Sequence, residues 1–365
     1  MIILKAWSEG VNGMKLYYTT KILICGMYPG PGFAIDGYIE KSQVFDEKIV
    51  DANNKEYLFY FPAYMMKAVY SLAGQSGGFY DYFENEEKIE LNVEDHVTVE
   101  ELQRKLLKIE GEKVLFLQKK LRLITGLGIS LPVFTTTVYD EGGTFYTSAG
   151  WSSDDMPLLT VSDYTDEMKN KLNDRLSFRI VDSTIMNLEE KNTRYKRALQ
   201  FYTNSFDSTD IGVRFILLFS ALESLFNISK KTISEEISTY GDKILFLGED
   251  KGKKHKLKKY YGIRSRYIHG NDGYTLTEKE EIELRDCVRE ILLIYWIIST
   301  LYEIYDPQKI KELVEITDRD QLDTQVQIFI KYMRTSPEKF EDLYEQICSE
   351  ILKGNCNVLS NENIS

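Results

Sequence analysis

The sequence predicts an α+β protein: a mixed α/β N-terminal region, then an all-α helical bundle with a helical C-terminal extension. Runs of β-branched and aromatic residues, bounded by turn-forming glycine and proline, occur in about the first 150 residues. From about Asn192 onward these runs fade, and apolar residues recur at helical spacing. Because the chain has 365 residues, we expect more than one compact core.

Three segments are therefore expected. Residues 1–190 would form an α+β domain of unknown role, either a sensor or a regulator. Residues 191–305 would form the helical bundle, and residues 306–365 a helical extension whose polar end, KGNCNVLSNENIS, frays. Within the last segment, Pro307 precedes two or three amphipathic helices, and Ser336-Pro337 is typical of a helix start.

The N-terminal elements follow from local patterns. KLYYTTKILICG (15–26) and EYLFYFPAY (56–64) predict strands, and LPVFTTTVYDEGGTFYTS (131–148) predicts a hairpin that turns at residues 140–143. Between them, Thr98 and Glu101 have the spacing of a capping box before a long run with helical periodicity. Gly111 is a point at which this helix could divide in two.

The C-terminal helices are marked by their start residues and apolar faces. TRYKRALQFYTNSF and SEEISTYGDKILFL each predict one helix. TDIGVRFILLFSALESLFN, started by Ser208 or Thr209, is apolar nearly all round and should be the central helix. Thr277 and Glu280 form a second capping box before a helical run over 282–305.

Composition narrows the class of protein. The net charge of −12 argues against nucleic acid coating the whole surface, although it permits a local basic site. The longest apolar run, 291–298, is far shorter than the roughly 20 residues of a membrane span, so no membrane association is expected. Cys25, Cys287, Cys348 and Cys356 lack CxxC or metal-ligand spacing, which favours reduced thiols in a cytoplasmic protein without metal or cofactor.

A basic stretch interrupts this acidic chain between residues 251 and 269. One interpretation is a solvated lysine-rich loop. The other is a track for an RNA backbone, because closely spaced cations bind successive phosphates. The lysines that would contact RNA are Lys253, Lys254, Lys256, Lys258 and Lys259.

The basic stretch leads into Arg264 and His269, which together suggest RNA cleavage. Arginine keeps its charge and binds phosphate with two donors, whereas histidine transfers protons near neutral pH. Metal-free cleavage needs a base for the ribose 2′-hydroxyl, a cation for the phosphorane and an acid for the leaving 5′-oxygen.

The spacing of the motif constrains its geometry. Residues five apart lie about 140° from each other on an ideal helix, so Arg264 and His269 do not share a face, whereas Arg266 and His269 do. Either the helix ends at the motif, with Gly270 as a left-handed cap, or a second subunit completes the site across a two-fold axis. We expect both.

The segment RSRYIHG, from Arg264 to Gly270, resembles the R-x4–6-H motif of HEPN domains, and in particular the YxxRSxxxHG pattern of the Apea-like HEPN family. RFILLFSALESLFN resembles that family's central helix, with Glu223 at its characteristic acidic position. The resemblance covers roughly residues 192–305.

The resemblance implies a four- or five-helix bundle that is usually dimeric and often a metal-independent endoribonuclease. Many members act in anti-phage defence or as toxins, and some bind RNA or ligands without cutting. It also implies that Arg264 and His269 are the catalytic pair and that Ser265 fills the polar position after the arginine. Arg266 is additional and would contact phosphate or pair with Glu223.

Other roles for these residues stay open. His269 could stabilise the C-terminal end of its helix, and Arg264 or Arg266 could brace Glu223 structurally. The leading hypothesis is an RNA-cleaving homodimer, with the N-terminal region sensing a trigger or restraining the nuclease. The alternatives are a non-catalytic dimerisation module that binds RNA or a nucleotide, and a structural dimer without nucleic-acid contact.

Overall fold

The computed structural model describes residues 15–24, 34–35, 38–44, 79–85, 87–91, 97–152, 185, 187–226, 233–247, 256–268, 276–316 and 326. The chain divides into two compact units. The sheet unit comprises residues 1–118 and 127–169, and the helical unit comprises residues 119–126 and 170–365. The predicted α+β class is confirmed. The domain boundary near residue 190 stays a prediction, since residues 153–184 lie outside the described part.

Seven strands of the sheet unit pair into one antiparallel sheet. They are β1 (Leu16–Leu23), β2 (Ala34–Ile35), β3 (Tyr38–Val44), β4 (Phe79–Asn85), β5 (Ile89–Leu91), β6 (Val133–Asp140) and β7 (Phe145–Ser152). The order is β2-β3-β4-β1-β6-β7. Strands β4 and β5 share one edge of β1: β4 pairs with residues 21–23 of β1 and β5 with residues 16–18.

The predicted β1 strand and the predicted hairpin are both confirmed. In the hairpin turn, the Asp140 carboxylate accepts a hydrogen bond from Thr144 N at 2.7 Å. Gly143 adopts φ +81°, which glycine tolerates without strain. The strand predicted over 56–64 lies outside the described residues.

Helix α1 (Val99–Thr125) begins with the predicted capping box. Glu101 N donates to Thr98 Oγ1 at 3.2 Å, and Thr98 N donates to Glu101 Oε2 at 2.9 Å. The expected division at Gly111 is wrong, because the helix runs through it without interruption. A glycine costs a helix only about 1 kcal/mol, while Leu102 and Leu106 bury their side chains against the sheet.

The helical unit contains residues 119–126, which include the end of α1, and a series of further helices. They are α2 (Thr193–Asn204), α3 (Ile211–Phe226), α4 (Ile233–Leu247), α5 (Lys256–Ile268), α6 (Glu278–Leu301) and α7 (Pro307–Ile316). Helix α3 is central as predicted, because it contacts each of the other five and buries eight of its residues.

The start of α3 differs from the prediction. Asp210, rather than Ser208 or Thr209, caps the helix: its Oδ1 accepts hydrogen bonds from Gly212 N at 2.7 Å and Val213 N at 3.0 Å. Aspartate caps as well as serine does and lies directly before the first helical residue. Ser208 instead accepts from the Asp210 amide.

Helix α6 confirms the second predicted capping box and shifts its expected limits. It begins at Glu278, after the reciprocal hydrogen bonds of Thr277 and Glu280, and ends at Leu301 rather than Tyr305. The chain then turns through Glu303, whose φ of 52° is left-handed. Among the described helices, none combines the length and apolarity needed to cross a membrane. The helix start predicted at Ser336-Pro337 lies outside the described residues.

Candidate functional site

Helix α5 carries the first part of the motif and is fixed to the bundle by one buried face. Leu257, Tyr260 and Ile263, three residues apart along the helix, are at most 1% exposed. The Tyr260 hydroxyl also donates to the Glu283 carboxylate of α6, and burial together with this carboxylate raises the pKa of Tyr260. Arg264, next to Ile263, therefore lies at the edge of the buried face of α5.

The guanidinium of Arg264 is held from two sides. Its Nη2 lies 3.1 Å from Glu223 Oε1 on α3. Its central carbon lies 5.8 Å from the ring centre of Phe219 and 5.6 Å from that of Tyr261. The Arg264 side chain is 20% exposed and that of Glu223 is 28% exposed. Of the two arginines expected to reach Glu223, it is thus Arg264 that does so.

The Arg264–Glu223 contact is an ion pair rather than an aligned hydrogen bond. Arg264 Nε and Glu223 Oε1 are both buried, and neither has a hydrogen-bond partner among the described residues. A buried polar atom without a partner costs about 1–3 kcal/mol. The pair is therefore held close but incompletely satisfied.

The two residues that follow Arg264 differ in exposure. Arg266 is exposed, and its Nε donates to the Gly262 carbonyl on the same helix at 3.4 Å. Ser265 is partly buried. Helix α5 is described as far as Ile268, so His269 and the predicted cap Gly270 lie outside the described residues.

The end of α5 rests on the start of α3. The Tyr267 hydroxyl packs so closely on Gly212 that any side chain at position 212 would displace it. The backbone leading to His269 is thereby positioned against the helix that carries Glu223. The site expected at His269, completed by a second subunit across a two-fold axis, remains a prediction.

The basic stretch is partly helical rather than wholly a loop. Lys256 begins α5, and the side chains of Lys258 and Lys259 in the same first turn are exposed. This turn contains no acidic residue. Cations at a helix N-terminus oppose the helix dipole by about 0.3–1 kcal/mol each, so helix stability does not explain them. Lys253 and Lys254 lie outside the described residues.

Sequence reasoning missed the aromatic frame of Arg264. Phe219 and Glu223 are four residues apart on α3, and Tyr261 and Arg264 are three apart on α5, so each pair shares a helix face. If the packing of α3 against α5 had been known, helical spacing would have predicted that the two aromatic rings lie near Arg264. Only their tertiary packing brings the two pairs together.

A second polar cluster, in the sheet unit, was also missed. Glu110 of α1 is completely buried and accepts hydrogen bonds from Tyr18 Oη at 2.9 Å, Tyr38 Oη at 2.7 Å and Lys113 Nζ at 2.7 Å. Burial acts to raise the pKa of Glu110, but the hydrogen bonds from Lys113 and Tyr38 outweigh it and lower the pKa. This saturated carboxylate supports the fold rather than offering a reactive group.

Metal ligation finds no support in the described residues, which contain no group of three or more His, Cys, Asp or Glu side chains placed to hold an ion. Cys287, on α6, is buried and forms no disulfide bond. Comparisons of the chain with protein-family models, with curated proteins and with solved structures found no match.

Proposed function

We propose that this protein is a metal-independent endoribonuclease of the Apea-like HEPN type, with Arg264 and His269 as its catalytic pair. The observation that carries the proposal is the setting of Arg264. A guanidinium with one fifth of its side chain exposed lies against two neighbouring aromatic rings, five residues before a histidine.

The proposed reaction is an in-line transesterification. The ribose 2′-oxygen loses its proton and attacks the neighbouring phosphorus, and the bond from phosphorus to the 5′-oxygen breaks. Arg264 neutralises the charge of the phosphorane, and the departing oxygen gains a proton. The products are a 2′,3′-cyclic phosphate and a 5′-hydroxyl.

His269 carries one of the two proton transfers, and a homodimer supplies the other through His269 of the partner subunit. Apolar residues favour such a dimer at this end of the bundle. Val213, Tyr267 and Ile268 are 44%, 37% and 47% exposed, at the start of α3 and the end of α5. Exposed apolar side chains that lie together are typical of interaction surfaces.

The other polar residues would bind the substrate. Ser265 and Arg266 contact phosphate beside the scissile bond. The first turn of α5 and the residues before it guide the backbone of single-stranded or loop RNA, because exposed lysines bind successive phosphates. The lysines in this role are Lys253, Lys254, Lys256, Lys258 and Lys259. The biological setting proposed is cytoplasmic anti-phage defence or toxicity, with the N-terminal region holding the nuclease latent.

One observation favours a second candidate function, a non-catalytic module that dimerises and binds RNA or a nucleotide. Glu223 already compensates the charge of Arg264, as it would in a brace between α3 and α5. In that case the arginine and the lysines bind phosphate without any chemical step.

Replacement of His269 by alanine tests the nuclease. We expect His269→Ala to abolish cleavage of a single-stranded RNA in EDTA, because one proton transfer is lost, while the circular dichroism spectrum stays unchanged. Arg197→Ala, an exposed change on α2, is the matched control and should cut as the parent does. Products would be identified by mass spectrometry as 2′,3′-cyclic phosphates.

Two outcomes would count against the enzyme. Equal cleavage by His269→Ala and the parent would remove the proposed catalytic pair. RNA binding that weakens steeply with salt, without cleavage by the parent under any condition tested, would support the binding module instead.

A further inference from the structure

A cavity of about 240 Å³ lies in the helical unit, lined by residues of α2, α3, α4, α6 and α7. Its apolar lining includes side chains from three helices: Leu225, Phe226, Ile244, Pro307, Ile310 and Val314. The volume is just below the roughly 300–1,000 Å³ typical of pockets for drug-sized ligands. Its occupant would therefore be smaller than a nucleotide, which distinguishes this cavity from an RNA site.

Two of the polar groups in the lining are already engaged with each other and with a neighbour. The Tyr240 hydroxyl donates a hydrogen bond to Glu315 Oε1 at 2.7 Å. The Lys311 ammonium lies over the Tyr240 ring, 4.0 Å from its centre. These contacts hold α4 against α7 and place the Lys311 ammonium on the face of the Tyr240 ring, where it keeps its charge.

The polar groups at the start of α7 are engaged as well. Asp306 Oδ1 accepts a hydrogen bond from Gln308 N at 2.8 Å and so caps the helix. Gln308 Nε2 donates to Glu312 Oε1 at 3.1 Å. The Tyr295 hydroxyl accepts from Asn192 Nδ2 at 3.1 Å.

Arg194 is the exception in this lining. Its backbone amide binds the Asn192 cap at 3.1 Å. Its guanidinium is half-buried and makes no hydrogen bond, ion pair or ring contact within the described part of the chain. Burial raises the pKa of Tyr295, and the charges of Asp306 and Arg194 act on that pKa in opposite directions. Both charged groups are therefore within electrostatic reach of the Tyr295 hydroxyl.

We propose that this cavity binds a small monocarboxylic acid with an apolar body, and that the carboxylate pairs with Arg194. A guanidinium that has no partner within the described residues is free to match the planar, two-oxygen geometry of a carboxylate. The apolar side chains of α3, α4 and α7 would contact the rest of the ligand. Asp306, which lines the same cavity, opposes a second negative charge, so the site selects a monoanion over a phosphate dianion.

Calorimetric titration of the full chain with 3-phenylpropionate tests this proposal. The neutral amide of the same acid has the same shape without the charge, so the comparison requires no variant. We expect the acid to bind about ten- to a hundredfold more tightly than the amide, because hydrogen bonds to charged groups contribute more than neutral ones. Phenylphosphonate should bind more weakly than the acid, with the gap widening as pH rises and the phosphonate gains its second charge.

A variant then tests whether Arg194 is the residue that binds the carboxylate. Arg194→Gln should weaken binding of the acid by about tenfold or more and leave binding of the amide unchanged. Arg197→Gln, an exposed arginine on the same helix, should leave both affinities within about twofold of the parent.

Several results would overturn the proposal. Equal affinity for the acid and the amide would remove the role of the charge, and an unchanged affinity in Arg194→Gln would move the carboxylate elsewhere. Tighter binding of the phosphonate would mean a phosphate site. The absence of binding by both probes would leave the cavity as a packing feature only. Carboxylate binding is independent of RNA cleavage, so neither result decides the other.

Discussion

The two units each contain a glutamate paired with a cation, and the two pairs differ in how completely they are satisfied. Glu110 in the sheet unit is fully buried and accepts hydrogen bonds from two tyrosines and a lysine. Glu223 in the helical unit is 28% exposed and faces Arg264 without an aligned hydrogen bond at Oε1. A saturated network specifies a packing arrangement, whereas an incomplete one at a partly open position leaves its cation available for another anion.

The largest effect is expected at the buried glutamate. Glu110→Ala removes the common acceptor of Tyr18, Tyr38 and Lys113 and should lower the free energy of unfolding by about 3 kcal/mol. Glu223→Ala is the matched change in the helical unit. It should cost less than about 1 kcal/mol, since water reaches the pair.

Urea denaturation of both variants measures this difference. A chain with two compact units need not unfold in one step, so each unit would be followed by its own probe. Similar losses of stability for Glu110→Ala and Glu223→Ala would show that the fully hydrogen-bonded carboxylate stabilises the fold no more than the partly bonded one.

A buried lysine of the helical unit should make the stability of the chain depend on pH. Lys120 is 1% exposed, and burial lowers its pKa from the ordinary 10.5 to about 6, although the charge of Glu189 opposes the shift. Between those two pH values the unfolded chain binds more protons than the folded chain. Stability should therefore rise with pH across this window, by at most about 1.4 kcal/mol per pH unit.

Lys120→Met should raise the free energy of unfolding near pH 7 by about 2 kcal/mol and flatten its rise with pH. Lys119→Met, at the neighbouring and partly exposed position, is the control and should keep the slope of the parent. Denaturation at intervals from pH 6.5 to pH 9.5 measures the slope. Identical slopes for the parent and Lys120→Met would show that Lys120 remains charged in the folded chain.

The smallest effect is expected in RNA affinity, through the charge of Arg264. It depends on the proposed RNA site. Glu223→Gln removes the anion that competes with phosphate for Arg264, so RNA should bind roughly three- to tenfold more tightly. Glu235→Gln, an exposed change on α4, alters net charge equally and should have an effect below about twofold. Fluorescence anisotropy with a short single-stranded RNA measures both, and weaker binding by Glu223→Gln would mean that the glutamate positions Arg264 productively.

Local patterns were sufficient for much of the fold. Both capping boxes, at Thr98 and at Thr277, are present as their spacing predicts, since a cap depends on residues within one helical turn. The β6–β7 hairpin is likewise a local structure, set by its turn residues and the alternation of its strands. Two local predictions were wrong. At Gly111 the helix continues, because burial of its apolar face outweighs the cost of one glycine. At the start of α3, Asp210 caps the helix because it lies closer to the first helical residue than Ser208 or Thr209.

The candidate site is less predictable, because its parts are distant in the sequence. The motif at Arg264 and the acidic residue at Glu223 were found separately, and the sequence left open which arginine reaches that glutamate. The pairing depends on how α3 and α5 pack, which is a matter of side chains that meet only in the folded chain. The Glu110 network was invisible for the same reason, since Tyr18 and Tyr38 lie on strands far from α1 in the sequence.

The sequence by itself determined part of the elements: strand β1, the β6–β7 hairpin, most of the helices and where several of them begin, and that a cationic motif follows a basic stretch in an acidic chain. Strands β2 to β5 were not predicted. Tertiary structure alone decided which charges are satisfied, because burial and hydrogen-bond geometry arise only when distant elements pack together. That packing saturates Glu110, leaves the Arg264–Glu223 pair incomplete, and gives Arg194 a cavity without a partner among the described residues.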